Sequence, residues 1–127
     1  RTRTDLNRSI AMAPDFAELV RELGAQSSDL RITKRQPNAF YGTELDLQLR
    51  RRRVTGIVLS GVSTSVGVDG TARAAQEHGY NVTFAADAMT DRDPVAHEFI
   101  LSKVLPRLGE VDSTEAILAL LGQLPQS

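Results

Sequence analysis

The residues with the clearest potential for chemistry lie between positions 54 and 80. An apolar run at 54–59, typical of a strand covered on both faces, leads into a turn of small residues, and Gly67 stands where a helix begins. In a parallel α/β sheet such a turn lies at the carboxyl edge of the strands. Unpaired N–H groups at a helix start can there hold an anion or a developing oxyanion. The sequence therefore predicts that this turn forms the floor of a site.

A lysine is the second candidate. Residues 29–35 alternate apolar and polar side chains, which predicts a short strand, and Lys34 lies at its end. By residue type alone, Lys34 is either a surface lysine or a site residue, and Phe40 in the next loop is either a pocket wall or part of the core. Gly67 likewise serves either close helix packing or the approach of a ligand.

Other polar residues have simpler interpretations. Thr64 and Ser65 are expected to cap the helix that follows the turn. Thr43 and Asp46 are expected to form a capping box, and Asp93 and either Asp112 or Ser113 are expected to cap the last two helices. Asp87 follows a predicted strand, where an acid and a structural cap are both possible and the cap is favoured. His78 and His97 lie on predicted helices and are expected to be solvated or half-buried, not general bases.

Composition excludes several classes of protein. The 127 residues are 41% hydrophobic and 24% charged, with a net charge of −1, which is typical of one domain that binds neither nucleic acid nor an anionic membrane. The absence of cysteine excludes disulfides and thiolate metal sites, and the two histidines make a zinc site improbable. No apolar run reaches the roughly 18 residues of a membrane span, and no signal peptide is visible. We expect a cytoplasmic protein without a metal or cofactor.

Four consecutive arginines at 50–53 suggest nucleic-acid binding at first sight. No aromatic residues are interleaved with them, and cations at a helix C-terminus are also what the helix dipole favours. A solvated helix end is therefore the preferred interpretation.

Strands and helices alternate along the chain, which predicts a parallel sheet with helices on both faces. We expect an exposed arm at 1–14, a domain at 15–122 and a tail at 123–127. With so few strands, the sheet would leave an apolar edge exposed, so we expect a partner or further strands on the N-terminal side. The predicted helices cover residues 15–23, 44–53, 67–78, 94–108 and 114–121, and the strands cover 29–35, 54–59, 81–86 and 110–112.

Several motifs in order resemble the isochorismatase-like cysteine hydrolases, from about residue 15 to residue 121. Residues 32–34 (ITK), 39–40 (AF) and 42–45 (GTEL) resemble one block of that family, and 61–68 (GVSTSVGV) resembles its catalytic turn. Shorter matches follow at 71–72, 75, 79–80 and 87–88. The resemblance implies a Rossmann-like three-layer sandwich around a six-stranded parallel sheet, lacking its first strands in this chain.

The resemblance also assigns roles. The family works with an Asp, a Lys and usually a Cys; the Lys corresponds to Lys34 and the Cys to Gly67, which has no side chain. The Asp belongs to an apolar strand that these 127 residues do not contain. In the family's turn a non-proline cis peptide would fall between Val62 and Ser63, and the N–H groups of Ser63 and Gly67 would form an oxyanion-type pair. Thr64 and Phe40 are assigned to substrate binding.

Without a thiol, covalent amide hydrolysis is disfavoured. True isochorismatases also carry Gly at that position and protonate a vinyl ether, although the turn here (STS at 63–65) looks more like that of the amidohydrolases. The implied function is hydrolysis of a small carboxylate-bearing, amide or vinyl-ether substrate by Asp/Lys acid chemistry, in a homo-oligomer. The alternative is a catalytically inactive homologue that binds a small ligand or acts in assembly. A general nucleotide binder is disfavoured because no G-x-G-x-x-G follows the strand.

Overall fold

The structure is a computed structural model that describes residues 13–125. The chain divides into two compact units, Arg1–Arg31 and Ile32–Ser127, each of which is described by itself. Most of the predicted arm and the last two residues of the predicted tail lie outside the described residues.

The first unit contains little regular structure in its described part. A turn at 14–17 is followed by the single 3₁₀ turn Arg21–Leu23, which ends at Gly24 with a left-handed φ of 63°. The continuous helix predicted at 15–23 is therefore wrong. The apolar side chains meant for its buried face are exposed, Phe16 at 67% and Leu23 at 64%. A short helix without a packed face is marginal in water, which explains the outcome.

The second unit holds every helix and strand that follows. No described helix is long and apolar enough to cross a membrane. The elements are α1 Leu45–Arg51, β1 Gly56–Val62, a π-helical turn Thr64–Val68, α2 Asp69–Glu77, β2 Asn81–Thr90, α3 Pro94–Phe99, a π-helical turn Ile100–Val104, a 3₁₀ turn Leu105–Arg107, β3 Glu110–Asp112 and α4 Thr114–Gly122.

The three strands form one parallel sheet in the order β1-β2-β3, which confirms the predicted α/β class. Leu59 pairs with Phe84 and Gly61 with Met89, so β2 bulges between its two pairing regions. This bulge carries β2 to Thr90, beyond the end predicted at residue 86, and leaves Asp87 exposed. The strand predicted at 29–35 does not form, because that segment has no strand partner among the described residues to complete a ladder.

The core lies around β2. Phe84 and Ala85 are adjacent and both buried, so both faces of this strand are covered. The buried cluster contains Phe40, Val68, Ala72, Ala74, Ala75, Tyr80, Val82, Phe84, Met89 and Leu105.

β1 is covered less completely than predicted. Its residues alternate between exposed and half-buried, with Val58 exposed at 47% and Val62 at 72%. Among the described strands, β1 pairs only with β2 and is an edge strand. The strand itself is confirmed, but its expected burial on both faces is wrong for residues 13–125. The exposed valines leave an apolar face on this edge strand, as expected of a sheet with few strands.

The starts of α3 and α4 followed local sequence signals, whereas the start of α1 did not. Asp93 accepts hydrogen bonds from the N–H groups of Val95 and Ala96, and Ser113 accepts one from Ala116, as expected of N-caps. The capping box predicted for Thr43 and Asp46 is wrong. Asp46 instead accepts from the Tyr80 hydroxyl at 2.8 Å, so a tertiary contact replaced the local one.

Candidate active site

The turn after β1 is built from one cis peptide and one helical turn. The Val62–Ser63 peptide bond is cis. Ser63 is extended, with φ −100° and ψ 149°, and its carbonyl oxygen accepts from the N–H groups of Val66 at 3.3 Å and Val68 at 3.1 Å. The π-helical turn then runs directly into α2. Ser63 therefore lies at a helix N-terminus, where free N–H groups and the helix dipole favour negative charge.

Lys34 lies directly against Gly67. A Cβ atom placed on Gly67 would be 3.4 Å from Lys34 Nζ, 3.4 Å from the Val62 carbonyl oxygen and 3.8 Å from that of Pro37. Lys34 Nζ itself donates to the Pro37 carbonyl at 2.7 Å, which fixes the direction of an otherwise exposed side chain. The structure thus brings together two residues that the sequence placed in separate elements. The space at Gly67 admits a small group in ordinary van der Waals contact.

Thr64, assigned to substrate binding, is fully buried and its hydroxyl is used inside the protein. Oγ1 donates to the Thr90 carbonyl at 3.2 Å and lies 2.8 Å from His97 Nδ1. The direction of the hydrogen bond between Thr64 and His97 depends on the tautomer of the His97 ring. His97 is half-buried, within the range expected from the sequence, and its contact with Thr64 was not foreseen.

Asp91 is a residue that the sequence analysis missed. Its Oδ2 accepts from Ser65 N at 2.7 Å and from Ser65 Oγ at 2.6 Å. The hydrogen bond from the Ser65 hydroxyl, aided by backbone N–H groups of Ser65 and Asp93, lowers the pKa of Asp91 to about 2. Thr64 and Ser65 are therefore not the helix caps that were predicted; Asp91 caps this helix start. Its position directly after β2, at the carboxyl edge, was the available signal.

Two further candidates lie away from the turn. Phe40 is 8% exposed and packs on His78 and Tyr80, with ring centroids 5.0 and 5.9 Å apart, so it belongs to the core cluster. Asp87 accepts from both N and Oγ1 of Thr114 at 2.7 Å, and these hydrogen bonds lower its pKa. Asp87 caps α4, which is the structural role that the sequence favoured.

The site therefore combines one ammonium group, a helix start and a position without a side chain. This arrangement can bind an anion or stabilise negative charge that develops in a reaction. It contains no thiol, and within residues 13–125 no three His, Asp or Glu side chains come together as a metal site.

Comparison with known proteins agrees with these features. The family model of the isochorismatase domain matches residues 4–116. An uncharacterised isochorismatase family protein of Bacillus subtilis, YwoC, is 48% identical over 107 residues, which is 84% of this chain and 57% of that protein. The ureidoacrylate amidohydrolase RutB of Stutzerimonas stutzeri is 30% identical over 113 residues, 88% of this chain and 45% of that protein.

A solved structure shows the same likeness in three dimensions. An isochorismatase family protein of Burkholderia thailandensis superposes with a TM-score of 0.84 at 41% identity, over 87% of this chain and 58% of that one. The chain thus spans about half the length of the relatives it matches. The family model covers most of the chain, and close relatives share both sequence and fold: the chain belongs to the isochorismatase family.

Proposed function

We propose that this chain forms part of a hydrolase that acts on a small carboxylate-bearing, amide or vinyl-ether substrate by Asp/Lys acid chemistry, without a cysteine nucleophile. The observation that carries the proposal is the contact of Lys34 Nζ with the space above Gly67, at the start of a helix. The proposed substrate-binding groups are the N–H groups of Ser63 and Gly67 together with the Lys34 ammonium.

Lys34 supplies a positive charge where the substrate carries or develops a negative one. An ammonium group beside a helix N-terminus stabilises a carboxylate or an oxyanion more strongly than either feature alone, because both act on the same oxygen. Gly67 contributes by having no side chain, so that a substrate atom can approach the backbone N–H closely.

The proposed reaction proceeds without a covalent enzyme intermediate. A carboxylic acid protonates the vinyl carbon or the amide nitrogen, and water adds to the activated carbon and returns a proton to the carboxylate. The C–O bond of the resulting hemiketal, or the C–N bond of the tetrahedral adduct, then breaks and releases the alcohol or the amine. Asp87 and Asp91 do not fit this acid, because hydrogen bonds from Thr114 and Ser65 lower the pKa of each and keep both ionised. As the resemblance implies, we assign the acid to an aspartate of the apolar strand that these 127 residues do not contain.

A second candidate is a homologue that binds a small carboxylate without hydrolysing it. Gly67 offers no nucleophile, and Lys34 is already held by the Pro37 carbonyl, which suits static binding as well as catalysis. The exposed valines of β1 also suit a homo-oligomer, which belongs to the proposal in either case.

Substitution of Lys34 tests the proposed function. The intact protein that contains this chain is assayed with ureidoacrylate, nicotinamide and isochorismate, of which the first two are substrates named for relatives and the last for the family. We expect hydrolysis of at least one of them, and we expect Lys34→Gln to lower kcat/KM by about 100-fold or more, since a charge on the reacting oxygen is lost.

Lys103→Gln is the matched control, because Lys103 is an exposed lysine that lines a surface pocket with Val95 and Phe99 and is not among the atoms close to Gly67. Its kcat/KM should stay within about twofold of the parent value. A Lys34→Gln variant that hydrolyses a substrate with the same kcat/KM as the parent would contradict the proposal. If none of the three substrates is hydrolysed, and calorimetry detects benzoate binding that Lys34→Gln abolishes, the result would support the binding protein instead.

A further inference from the structure

The helix that begins with the Thr64–Val68 turn is stabilised at its start by residues from other segments of the chain. Ser63 is the N-cap residue by position, yet its side chain makes no capping hydrogen bond. Helix starts are ordinarily satisfied by a side chain at the N-cap itself. Here the two residues that follow Ser63 are bonded instead to the segment that joins β2 to α3 and to α3 itself.

Asp91 makes the first of these ties. Its Oδ2 atom accepts both the backbone N–H and the hydroxyl of Ser65, at 2.7 and 2.6 Å, across 26 residues of sequence. Its other oxygen, Oδ1, accepts from Asp93 N at 3.2 Å, so the carboxylate is fixed in orientation by its own loop. A carboxylate held in this way fixes the position of Ser65 in turn.

His97 makes the second tie. Its Nδ1 lies 2.8 Å from Thr64 Oγ1, and Thr64 is also bonded to the Thr90 carbonyl. Thr64 is completely buried, so this hydroxyl has no water to replace a lost partner. The residues between Ser63 and Gly67 are thus attached at two points to the neighbouring part of the fold.

We propose that Asp91 and His97 are positioning residues, which hold the Thr64–Val68 turn so that the N–H groups of Ser63 and Gly67 face Lys34. The proposal deepens the proposed function and rests on it, because it concerns the geometry of the same site. Neither side chain needs to touch the substrate. Each acts through a residue of the turn, Asp91 through Ser65 and His97 through Thr64.

A thiol placed at position 67 reports on this geometry without any knowledge of the substrate. In the Gly67→Cys variant of the full chain, Lys34 and the helix start should lower the pKa of the new thiol. The rate of alkylation by iodoacetamide between about pH 5 and about pH 10 measures that pKa. In this background we expect Asp91→Asn and His97→Gln each to slow alkylation by about threefold or more at a pH at least one unit below the thiol pKa, equivalent to a rise of about half a pKa unit.

The direction of the effect separates positioning from charge. Removal of the Asp91 negative charge would by itself favour the thiolate and speed alkylation. A slower reaction therefore reports a displaced turn. Asp87→Asn is the matched control for Asp91→Asn, because Asp87 caps a helix through Thr114 in the same way but at α4. His78→Gln is the control for His97→Gln, since His78 is exposed and packs on Phe40. Both controls should stay within about twofold.

Alkylation that is unchanged or faster in Asp91→Asn, with an unchanged urea midpoint, would overturn the proposal. If Asp91→Asn unfolds the protein, Ser65→Ala removes one of the same hydrogen bonds without changing charge and should give the same slowing. If the pKa of the thiol in the Gly67→Cys variant is not lowered, that result would count against the proposed site. The positioning role is then tested separately by amide hydrogen exchange in the chain that keeps Gly67. A larger increase of the amide exchange rate at Gly67 in Asp91→Asn than in Asp87→Asn would support the positioning role. Equal exchange rates in the two variants would overturn it.

Discussion

Three aspartates in this chain serve as acceptors that join elements distant in sequence. Asp46 accepts from the Tyr80 hydroxyl, Asp87 from Thr114 and Asp91 from Ser65. In each case the hydrogen bond to the ionised carboxylate is the main reason that the pKa lies below its usual value. These carboxylates are therefore structural at neutral pH, and Lys34 is the charged side chain that the structure places against Gly67.

The stability of the protein should depend on Asp91 at acid pH. Its pKa falls from the usual 3.8 to about 2 on folding, so the unfolded chain binds the proton more readily than the folded one. The contribution to the free energy of unfolding is complete above about pH 4 and is lost as the pH falls towards about 2. Asp91→Asn should flatten this part of the profile, measured by urea unfolding. An equally steep decline in the variant would show that Asp91 does not carry it.

At the scale of elements, α3 and α4 begin with a local side-chain cap, whereas the helix that starts in the candidate site does not. Asp93 and Ser113 cap α3 and α4 from the preceding residue. The helix that starts in the candidate site takes its cap from Asp91, far along the chain. The helical segment predicted at 94–108 continues after α3 as a π-helical turn and tightens to a 3₁₀ turn at Leu105–Arg107, where Pro106 was expected to kink or close it because proline lacks the N–H that a continuous helix requires.

Ser113→Ala should destabilise α4. Its Oγ satisfies the N–H of Ala116, and loss of an N-cap of this kind costs about 1 kcal/mol in the free energy of unfolding, to be measured by urea denaturation. Ser102→Ala is the control, because Ser102 bonds to the Glu98 carbonyl within a helix, a contact that contributes little stability. Equal losses in the two variants would contradict a capping role for Ser113.

At the scale of the whole molecule, the described core depends on the close approach of the segment after α3 to β2. Leu105 and Phe84 are both fully buried there. Gly109 lies so near β2 that a Cβ atom on it would overlap the Val82 carbonyl oxygen and lie 3.2 Å from the Phe84 ring. The chain thus reaches β3 through a point where only glycine fits.

Gly109→Ala should be strongly destabilising, because the clash is with backbone that cannot rotate away. Overpacking in a core costs typically about 1–3 kcal/mol, and we expect about 3 kcal/mol or more here. Gly122→Ala is the matched control: a Cβ on Gly122 meets no atom within 4 Å, so stability should change by less than about 0.5 kcal/mol. Thermal unfolding of both variants gives the comparison. A Gly109→Ala protein as stable as Gly122→Ala would mean that this approach is looser than described.

The sequence by itself determined the features that local physics encodes. Apolar runs predicted β1 and β2, helical spacing predicted α2, and β3 was expected as a short strand; cap residues predicted the starts of α3 and α4. The ordered motifs indicated the isochorismatase family, which the family model and the structural neighbours confirm. The same motifs indicated Lys34 and Gly67 as site residues and the peptide between Val62 and Ser63 as the position of a cis bond.

Only the tertiary structure decided the rest. A strand needs a partner and a short helix needs a packed face, so neither the strand at 29–35 nor the helix at 15–23 formed where periodicity alone predicted it. The approach of Lys34 to Gly67 and the ties of Asp91 to Ser65 and His97 to Thr64 join residues 26 or more positions apart. No local pattern encodes such contacts, because they depend on how the parallel strands bring their carboxyl ends to one edge.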